Sequence, residues 1–346
     1  MDAARFRVGY LRRPMHAAFL ETADKDPALE VTRITLDDGE EAAEGKLAAC
    51  HGYYTTSARD ELPPRWRVTA DFLGRYPNLL LVATYGAGYD TIDVDACTAA
   101  GVAVVNQAGG NAEGVAEHAV GMMLALLKRI PEAHAAMRAG AVKDRAALLG
   151  RELAGRTVGI IGLGHTGSRT AAILKVFGCR VLATDPYLDA ATCAARGAEK
   201  VGLPRLLAES DIVSVHCPLS GETRGMIGAA SYAAMRPGTL FITTARGSIH
   251  DEAALHSALA SGHIAGAGLD VWEQEPPPAA HALLAHPHVV ASPHIAGATH
   301  ESRARVARMA AEVFSEAAKG RLSSRLLNPA VSERFAKRWT AAFKQT

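Results

Sequence analysis

Three short apolar runs in the second half of the chain end in residues able to handle protons and anions. They are Phe241-Ile-Thr-Thr-Ala-Arg246-Gly247, Gly268-Leu-Asp270-Val-Trp-Glu273-Gln-Glu275-Pro276 and Ala291-Ser-Pro293-His294-Ile-Ala-Gly297. Reduction of a 2-keto acid needs a cation for the carboxylate, a proton donor for the carbonyl oxygen and a hydride close by. Arg246 has the planar fork for the first task. His294 suits the second, histidine being the side-chain type that exchanges protons most readily near neutral pH. Glu275 is suited to hold that imidazole and favour its charged form. Each also has a plain reading: arginine before glycine as a surface residue, histidine after proline as a loop residue, Glu-Pro as the start of a turn. Their order after a nucleotide fingerprint is what links them.

That fingerprint is Arg156-Thr-Val-Gly-Ile-Ile-Gly162-Leu-Gly164-His165-Thr166-Gly167, an apolar strand running into GxGxxG and then a helix over Ser168 to Phe177. Gly162 permits the tight turn, Gly164 lets backbone amides approach a pyrophosphate, and Gly167 lets helix and strand pack closely. The helix start supplies free N–H groups and partial positive charge to the phosphates. Asp185 ends the next strand, Arg180 to Thr184, where a carboxylate accepts from ribose hydroxyls and repels a 2′-phosphate. NAD is the cofactor this predicts, with neither Arg180 nor Arg196 placed to replace Asp185.

The elements needed to position these groups form two series of short β-branched strands separated by helical stretches. The first covers Arg5 to Leu11, Val31 to Leu36, Ala48 to Tyr54, Leu79 to Thr84 and Val102 to Val105. The second covers Thr157 to Gly162, Arg180 to Thr184, Ile212 to His216, Thr239 to Thr243, Ile264 to Leu269 and Val289 to Ser292. An apolar helix from Glu113 to Arg129, ended by Pro131, lies between them, and a helix from Glu301 to Lys319, closed by Gly320, follows them. The fold class predicted is α/β: two doubly wound parallel-sheet domains, a Rossmann cofactor domain inserted into a flavodoxin-like substrate domain. Residues 1–107 and 298–330 would form the discontinuous substrate domain and 108–297 the cofactor domain. Residues 132–153 read either as a projecting arm or as a solvated connector, and 331–346 as a short basic tail.

Bulk composition agrees with a globular protein. The 346 residues are 49% hydrophobic and 21% charged, enough for two cores. A net charge of +1 without a long basic run argues against nucleic acid or a membrane surface as a partner. Neither a signal peptide nor a spanning segment is apparent; the longest helical apolar run is Ala119 to Leu127. Cys50, Cys97, Cys179, Cys193 and Cys217 are odd in number and lack CxxC spacing, so free thiols and a cytoplasmic location are expected. His281, His286, His288 and His294 fit no common zinc spacing, and no metal is expected.

Taken together, the motifs resemble the D-isomer-specific 2-hydroxyacid dehydrogenase family. They are Gly162 to Gly167, His216-Cys-Pro-Leu219 with Glu222-Thr-Arg224 and Met226-Ile227, Ala245-Arg246-Gly247, Asp270 to Pro276 and Ser292-Pro-His294. The likeness is close from Leu79 to His300 and loose over the first 75 residues. It implies Arg246, Glu275 and His294 as the catalytic set. It also implies cofactor contacts at or near Asp185, Cys217, Pro218, Thr223, Thr244, Ala245, Arg246, Asp270, His294 and Gly297. A backbone turn at Tyr85-Gly86-Ala87-Gly88 would bind the substrate carboxylate, Asn106 to Glu117 would form a hinge, and the arm would build a homodimer. Two features depart from the pattern: Thr243 stands where asparagine is frequent, and Tyr85 stands beside Tyr53 and Tyr54, a cluster able to shape an unusual pocket or simply to pack. Glu275 disfavours the formate-oxidising branch. NAD(H)-sensing co-repressors and phosphite dehydrogenases share the catalytic set and are the alternatives; the co-repressors would be expected to carry long disordered tails.

Overall fold

β-Branched and apolar residues in runs of three to six leave too little length for helices and pair instead as parallel strands. The computed structural model describes residues 5–35, 37, 39–57, 59 and 61–344, so Leu36, expected at a strand end, lies outside the described residues. The chain divides into two units, residues 1–111 with 300–346, and residues 112–299.

Unit 1 holds β1 (Phe6–Leu11), β2 (Leu29–Ile34), β3 (Gly52–Thr55), β4 (Leu81–Thr84) and β5 (Ala103–Val105), in the order β2-β1-β3-β4-β5. Every pair is parallel. Side chains alternate across β3, so Tyr53 enters the core on one face and Tyr54 the core on the other. The expected tyrosine cluster is therefore split. Tyr54 packs on Tyr85 with ring centroids 4.4 Å apart, whereas Tyr53 packs on Phe72 at 5.4 Å.

The helix His300–Ala318 closes unit 1, burying Val306, Ala310 and Phe314 along one stripe. The expectation of a basic tail over 331–346 gives way to a helix, Ser332–Phe343. Phe335, Trp339 and Phe343 recur every four residues and lie against the unit 1 core. On the same helix, Arg334 donates to Ala99 O at 2.7 Å and Arg338 to Ala100 O at 3.0 Å. Apolar spacing thus outweighs the basic composition. Gln345 and Thr346 lie outside the described residues.

Unit 2 holds β6 (Thr157–Ile161), β7 (Arg180–Thr184), β8 (Glu199–Lys200), β9 (Ile212–Val215), β10 (Thr239–Thr243), β11 (Ile264–Leu269) and β12 (Val289–Ala291). Their order is β12-β11-β10-β9-β6-β7-β8, again parallel throughout, with buried clusters on both faces. The edge strand β8 has only two residues, too few to carry a periodic signal. The apolar helix runs Ala112–Leu127, and Pro131 does not end it. Arg129 turns the chain at φ +55°, and Pro131 falls in the first turn of the next helix, Ile130–Arg138, where its missing N–H costs nothing.

Candidate active site

β6 ends in the glycine turn because nothing larger fits it. Gly162 has φ +89°, and a Cβ there would lie 2.7 Å from Cys217 N; a Cβ on Gly167 would lie 2.1 Å from Gly162 O. Beside Gly164, by contrast, a Cβ would meet open space. Gly164 starts the helix His165–Val176 without a side-chain cap, so the first-turn amides, including those of His165 and Thr166, stay available to an anion. Asp185 directly follows β7 and is tied by two amides: Leu163 N donates to Oδ2 and Tyr187 N to Oδ1, each at 3.0 Å. Each carboxylate oxygen keeps a lone pair for a ribose hydroxyl. Arg180 pairs with Glu199 and Glu209, while Arg196 donates to Leu163 O at 2.6 Å and braces the turn from outside.

The carboxyl ends of β9 and β10 complete this side of the sheet. Gly162 packs against Cys217, which brings Cys217 and Pro218 beside the glycine turn. The Thr223 hydroxyl is spent on its own loop, donating to Pro218 O at 2.7 Å and accepting from Ser220 N at 2.8 Å. Thr243, in place of the frequent asparagine, accepts from Ala245 N at 3.5 Å. Thr244 differs: its hydroxyl is buried without a protein partner, as is Nδ1 of His216. Buried polar atoms ordinarily have partners, so an orphaned hydroxyl at a strand's carboxyl end fits a site for a polar ligand. Open turn, uncapped helix start, tethered Asp185 and orphaned Thr244 together suit the phosphates and hydroxyls of a dinucleotide.

The three chemical residues come together in unit 2. Gly247 presses against the next loop so closely that a Cβ would lie 2.0 Å from the Trp272 carbonyl carbon, which fixes Arg246 beside the segment carrying Glu275. Glu275 Oε2 and His294 Nδ1 are 2.7 Å apart, and Trp272 N donates to Glu275 Oε1 at 3.1 Å. Burial works to raise the Glu275 carboxyl; the hydrogen bond and charge of His294, the Trp272 amide and the Arg246 guanidinium outweigh it and hold it below the usual range. Glu275 is therefore an anion at neutral pH.

A second carboxylate holds the histidine loop. Asp270 is fully buried at the end of β11. It accepts from Ser292 Oγ at 2.6 Å, Ile295 N at 2.8 Å and Ala296 N at 2.9 Å, and its backbone carbonyl accepts from His294 N at 2.7 Å. These four bonds offset the cost of His294 at φ +55°, about 1–3 kcal/mol for a residue with a Cβ. They also occupy most of the Asp270 acceptors, leaving one lone pair for the cofactor contact the resemblance implies. His118, on the helix Ala112–Leu127, stands 2.9 Å from Ser292 Oγ. A single polar ring on an apolar helix was the only sequence signal for it. Glu252 was likewise unmarked: it accepts from Glu273 N at 2.8 Å and meets His281 Nε2 at 3.0 Å, bracing the loop behind Glu275. The remaining histidines of that stretch go elsewhere, His288 to Glu132 at 3.1 Å and His286 against the His288 ring. Among the described residues no cluster of three or more His, Cys, Asp or Glu is able to hold a metal.

In unit 1, the turn after β4 has its carbonyls engaged. Gly86 O accepts from Thr84 Oγ1 and Gln107 N, both at 2.8 Å, and Ala87 O accepts from Asn106 Nδ2 at 2.7 Å. Among the described residues the amides of Gly86, Ala87 and Gly88 donate to no protein acceptor. Consecutive free amides of this kind make an anion-binding concavity.

Residues 120–296 match the family model for the D-isomer specific 2-hydroxyacid dehydrogenase NAD binding domain. A D-3-phosphoglycerate dehydrogenase of Archaeoglobus fulgidus is 40% identical over 254 residues, 73% of this chain and 48% of that protein. A glyoxylate reductase of Korarchaeum cryptofilum is 40% identical over 267 residues, 76% of this chain and 80% of that protein. The chain belongs to the D-isomer specific 2-hydroxyacid dehydrogenases. It spans about half the length of the phosphoglycerate dehydrogenases it matches. A D-lactate dehydrogenase from Aquifex aeolicus, solved with NAD and lactic acid, superposes with a TM-score of 0.77 at 29% identity, covering 90% of this chain and 96% of that one. Within this family unit 2 is the NAD-binding domain, and its glycine turn, Asp185 and Thr244 fit that dinucleotide. Relatives named for hydroxy and keto acids do not favour the co-repressor and phosphite alternatives. Among the described residues, no helix is long and apolar enough to cross a membrane.

Proposed function

We propose that this chain is an NAD-dependent oxidoreductase interconverting a D-2-hydroxy acid and its 2-keto acid, with His294 as the acid/base. The observation that carries this reading is the 2.7 Å contact between His294 Nδ1 and Glu275 Oε2. An ionised carboxylate only accepts, so Nδ1 carries the hydrogen and donates it to Glu275. That leaves Nε2 as the ring atom exchanging a proton with substrate. In the reducing direction the imidazolium gives its Nε2 proton to the carbonyl oxygen and becomes neutral, with Glu275 holding the ring and compensating its charge. Bound NADH supplies the hydride to C2. Arg246 offers a fixed cation to a substrate carboxylate. In unit 1, the free amides of Gly86 to Gly88 are suited to binding a carboxylate. Cofactor contacts are assigned to the Gly162–Gly167 turn, Asp185, Cys217, Pro218, Thr244, Ala245, Arg246, Asp270 and Gly297; Thr223 supports its loop.

Exposed apolar side chains at Met137 and Leu149 support a self-association face along 132–153, hence a homodimer. Five unpaired thiols, four of them buried, support a reducing, cytoplasmic setting.

The test is His294→Ala, assayed for NADH oxidation with glyoxylate, hydroxypyruvate, phosphohydroxypyruvate and bulkier 2-keto acids. Turnover should fall by roughly three orders of magnitude while the Kd for NADH stays within about twofold. Wild-type turnover in the variant removes the acid/base role, and absence of turnover by the parent protein on every acid removes the enzymatic reading.

A further inference from the structure

We propose that Glu252 is a positioning residue for proton transfer: by tying down the loop that carries Glu275, it sets how closely that carboxylate meets His294. This rests on the functional reading above and adds a residue to its machinery.

Glu252 is buried and opens the helix Glu252–Ala260. The residue before it, Asp251, serves that helix as its cap, accepting from Ala254 N at 2.9 Å. Glu252 spends its carboxylate elsewhere. Oε1 accepts from Glu273 N at 2.8 Å, and Oε2 lies 3.0 Å from His281 Nε2. The other ring nitrogen fixes the direction of the second bond. His281 Nδ1 accepts from Leu283 N at 3.3 Å, capping the helix Ala282–Ala285, so the ring hydrogen sits on Nε2 and is donated to Glu252.

These two bonds hold residues 273 and 281, the ends of the segment that contains Glu275. Between them run Pro276, Pro277 and Pro278, which have no N–H to bond and a fixed φ. The segment therefore takes its anchorage from its ends, and a stiff proline run passes a shift at either end on to Glu275.

The same anchorage reaches the other reacting groups. Trp272 N donates to Glu275 Oε1 at 3.1 Å, leaving Oε2 for His294 Nδ1 at 2.7 Å. The His281 ring meets the Trp272 ring edge-on, with centroids 5.4 Å apart. The Trp272 indole in turn donates to Ser292 O at 3.1 Å, in the loop that carries His294. Gly247, next to Arg246, packs on the Trp272 carbonyl from the stretch leading into Glu252. One carboxylate at a helix start is thus linked to the segments of Arg246, Glu275 and His294. Burial, Glu252 and Asp251 all push the Glu273 carboxyl up, so removing the Glu252 charge relieves repulsion there and does not create it.

The experiment uses Glu252→Gln on the full chain. The amide keeps the shape but cannot accept from both Glu273 N and His281 Nε2. Two readouts apply: the pH titration of His294, followed by NMR of its 13C-labelled ring and assigned by loss of the signal in His294→Ala, and turnover of the most active 2-keto acid of the panel above. An aligned carboxylate favours the imidazolium, so slackening it should move the His294 titration down by roughly 0.5 pH. We expect kcat to fall about fivefold, with KM and the Kd for NADH within about twofold. His281→Asn retains an acceptor for Leu283 N, loses the reach to Glu252 and should change both readouts less, in the same direction; it carries the comparison if Glu252→Gln does not fold. In a Glu275→Gln background Glu252→Gln should add nothing, because its effect passes through Glu275. A titration matching the parent protein in the folded single variants, or a kcat loss undiminished in the Glu275→Gln background, overturns the positioning role while the dehydrogenase reading stands. Should the parent protein reduce no acid, that reading falls and the titration alone decides the role of Glu252.

Discussion

Ser292 Oγ donates to Asp270 Oδ1 across 2.6 Å, and this bond dictates what His118 does. Asp270 only accepts, so the single hydroxyl hydrogen of Ser292 is committed to it. The 2.9 Å contact between His118 Nε2 and Ser292 Oγ must then be an N–H donated by the histidine. His118, Ser292 and Asp270 thus form one directional chain that ends on the loop carrying His294.

Removing its middle should be felt in both stability and rate. Ser292→Ala takes one donor from a fully buried carboxylate, at a cost of about 1.5–3 kcal/mol. It also loosens the segment from Ser292 to Ala296, and we expect kcat to fall about tenfold. Ser292→Thr retains the hydroxyl and should restore most of both. Urea unfolding and steady-state turnover on the two variants check this, and equal behaviour of Ala and Thr would remove the role of the hydroxyl.

Glu275 is the second lever. Glutamine preserves shape and can still accept from the Trp272 amide, yet it cannot balance an imidazolium. Glu275→Gln should lower kcat by roughly a hundredfold with NADH affinity within about twofold, and Glu275→Asp should recover part of the loss. A glutamine variant that matches the parent protein in turnover would mean that the 2.7 Å contact has no part in proton transfer.

Residues confined to one window are legible in the sequence. Gly162 to Gly167, Asp185 and Arg246 owe their meaning to neighbours a few positions away, and the pairing of Glu275 with His294 followed from the chemistry each required. Contacts made across the sheet were not. His118 and Ser292 lie 174 residues apart, and no local pattern connects them. The two faces of β3 sent Tyr53 and Tyr54 to separate cores, an outcome that depends on pleat phase rather than residue type. The helix Ser332–Phe343 did carry a signal in the spacing of Phe335, Trp339 and Phe343, but its arginines and lysines masked it. β8 is too short to announce itself.

On the proposed reading, cofactor choice rests on Asp185. Serine there removes the charge assigned to the ribose contact, while Arg196, held to Leu163 O at 2.6 Å, keeps a cation next to the glycine turn. The ratio of kcat/KM for NADH over NADPH should drop by roughly ten- to a hundredfold in Asp185→Ser. The melting temperature separates this from collapse of the turn, since Leu163 N also loses an acceptor. Unchanged selectivity in a folded variant would refute the ribose contact.

Stability should fall on mild acidification, and two buried histidines say where. Desolvation pushes His216 down to about 4, and it does the same to His250, also to about 4, against a small opposing pull from Asp251. Both are therefore neutral when folded, while the unfolded chain protonates them near 6.5. Their contribution is fully present above that value and drains away as pH drops towards 4, because the unfolded state binds the extra protons. Each histidine accounts for roughly 3 kcal/mol over this window at 1.36 kcal/mol per unit. His250→Asn, which keeps a polar group opposite the Tyr232 hydroxyl 3.1 Å from Nδ1, should be less stable at neutral pH yet lose less on acidification. Urea midpoints measured from pH 7 to pH 4.5 decide it: parallel curves for the parent protein and the variant would show that His250 does not supply this pH dependence.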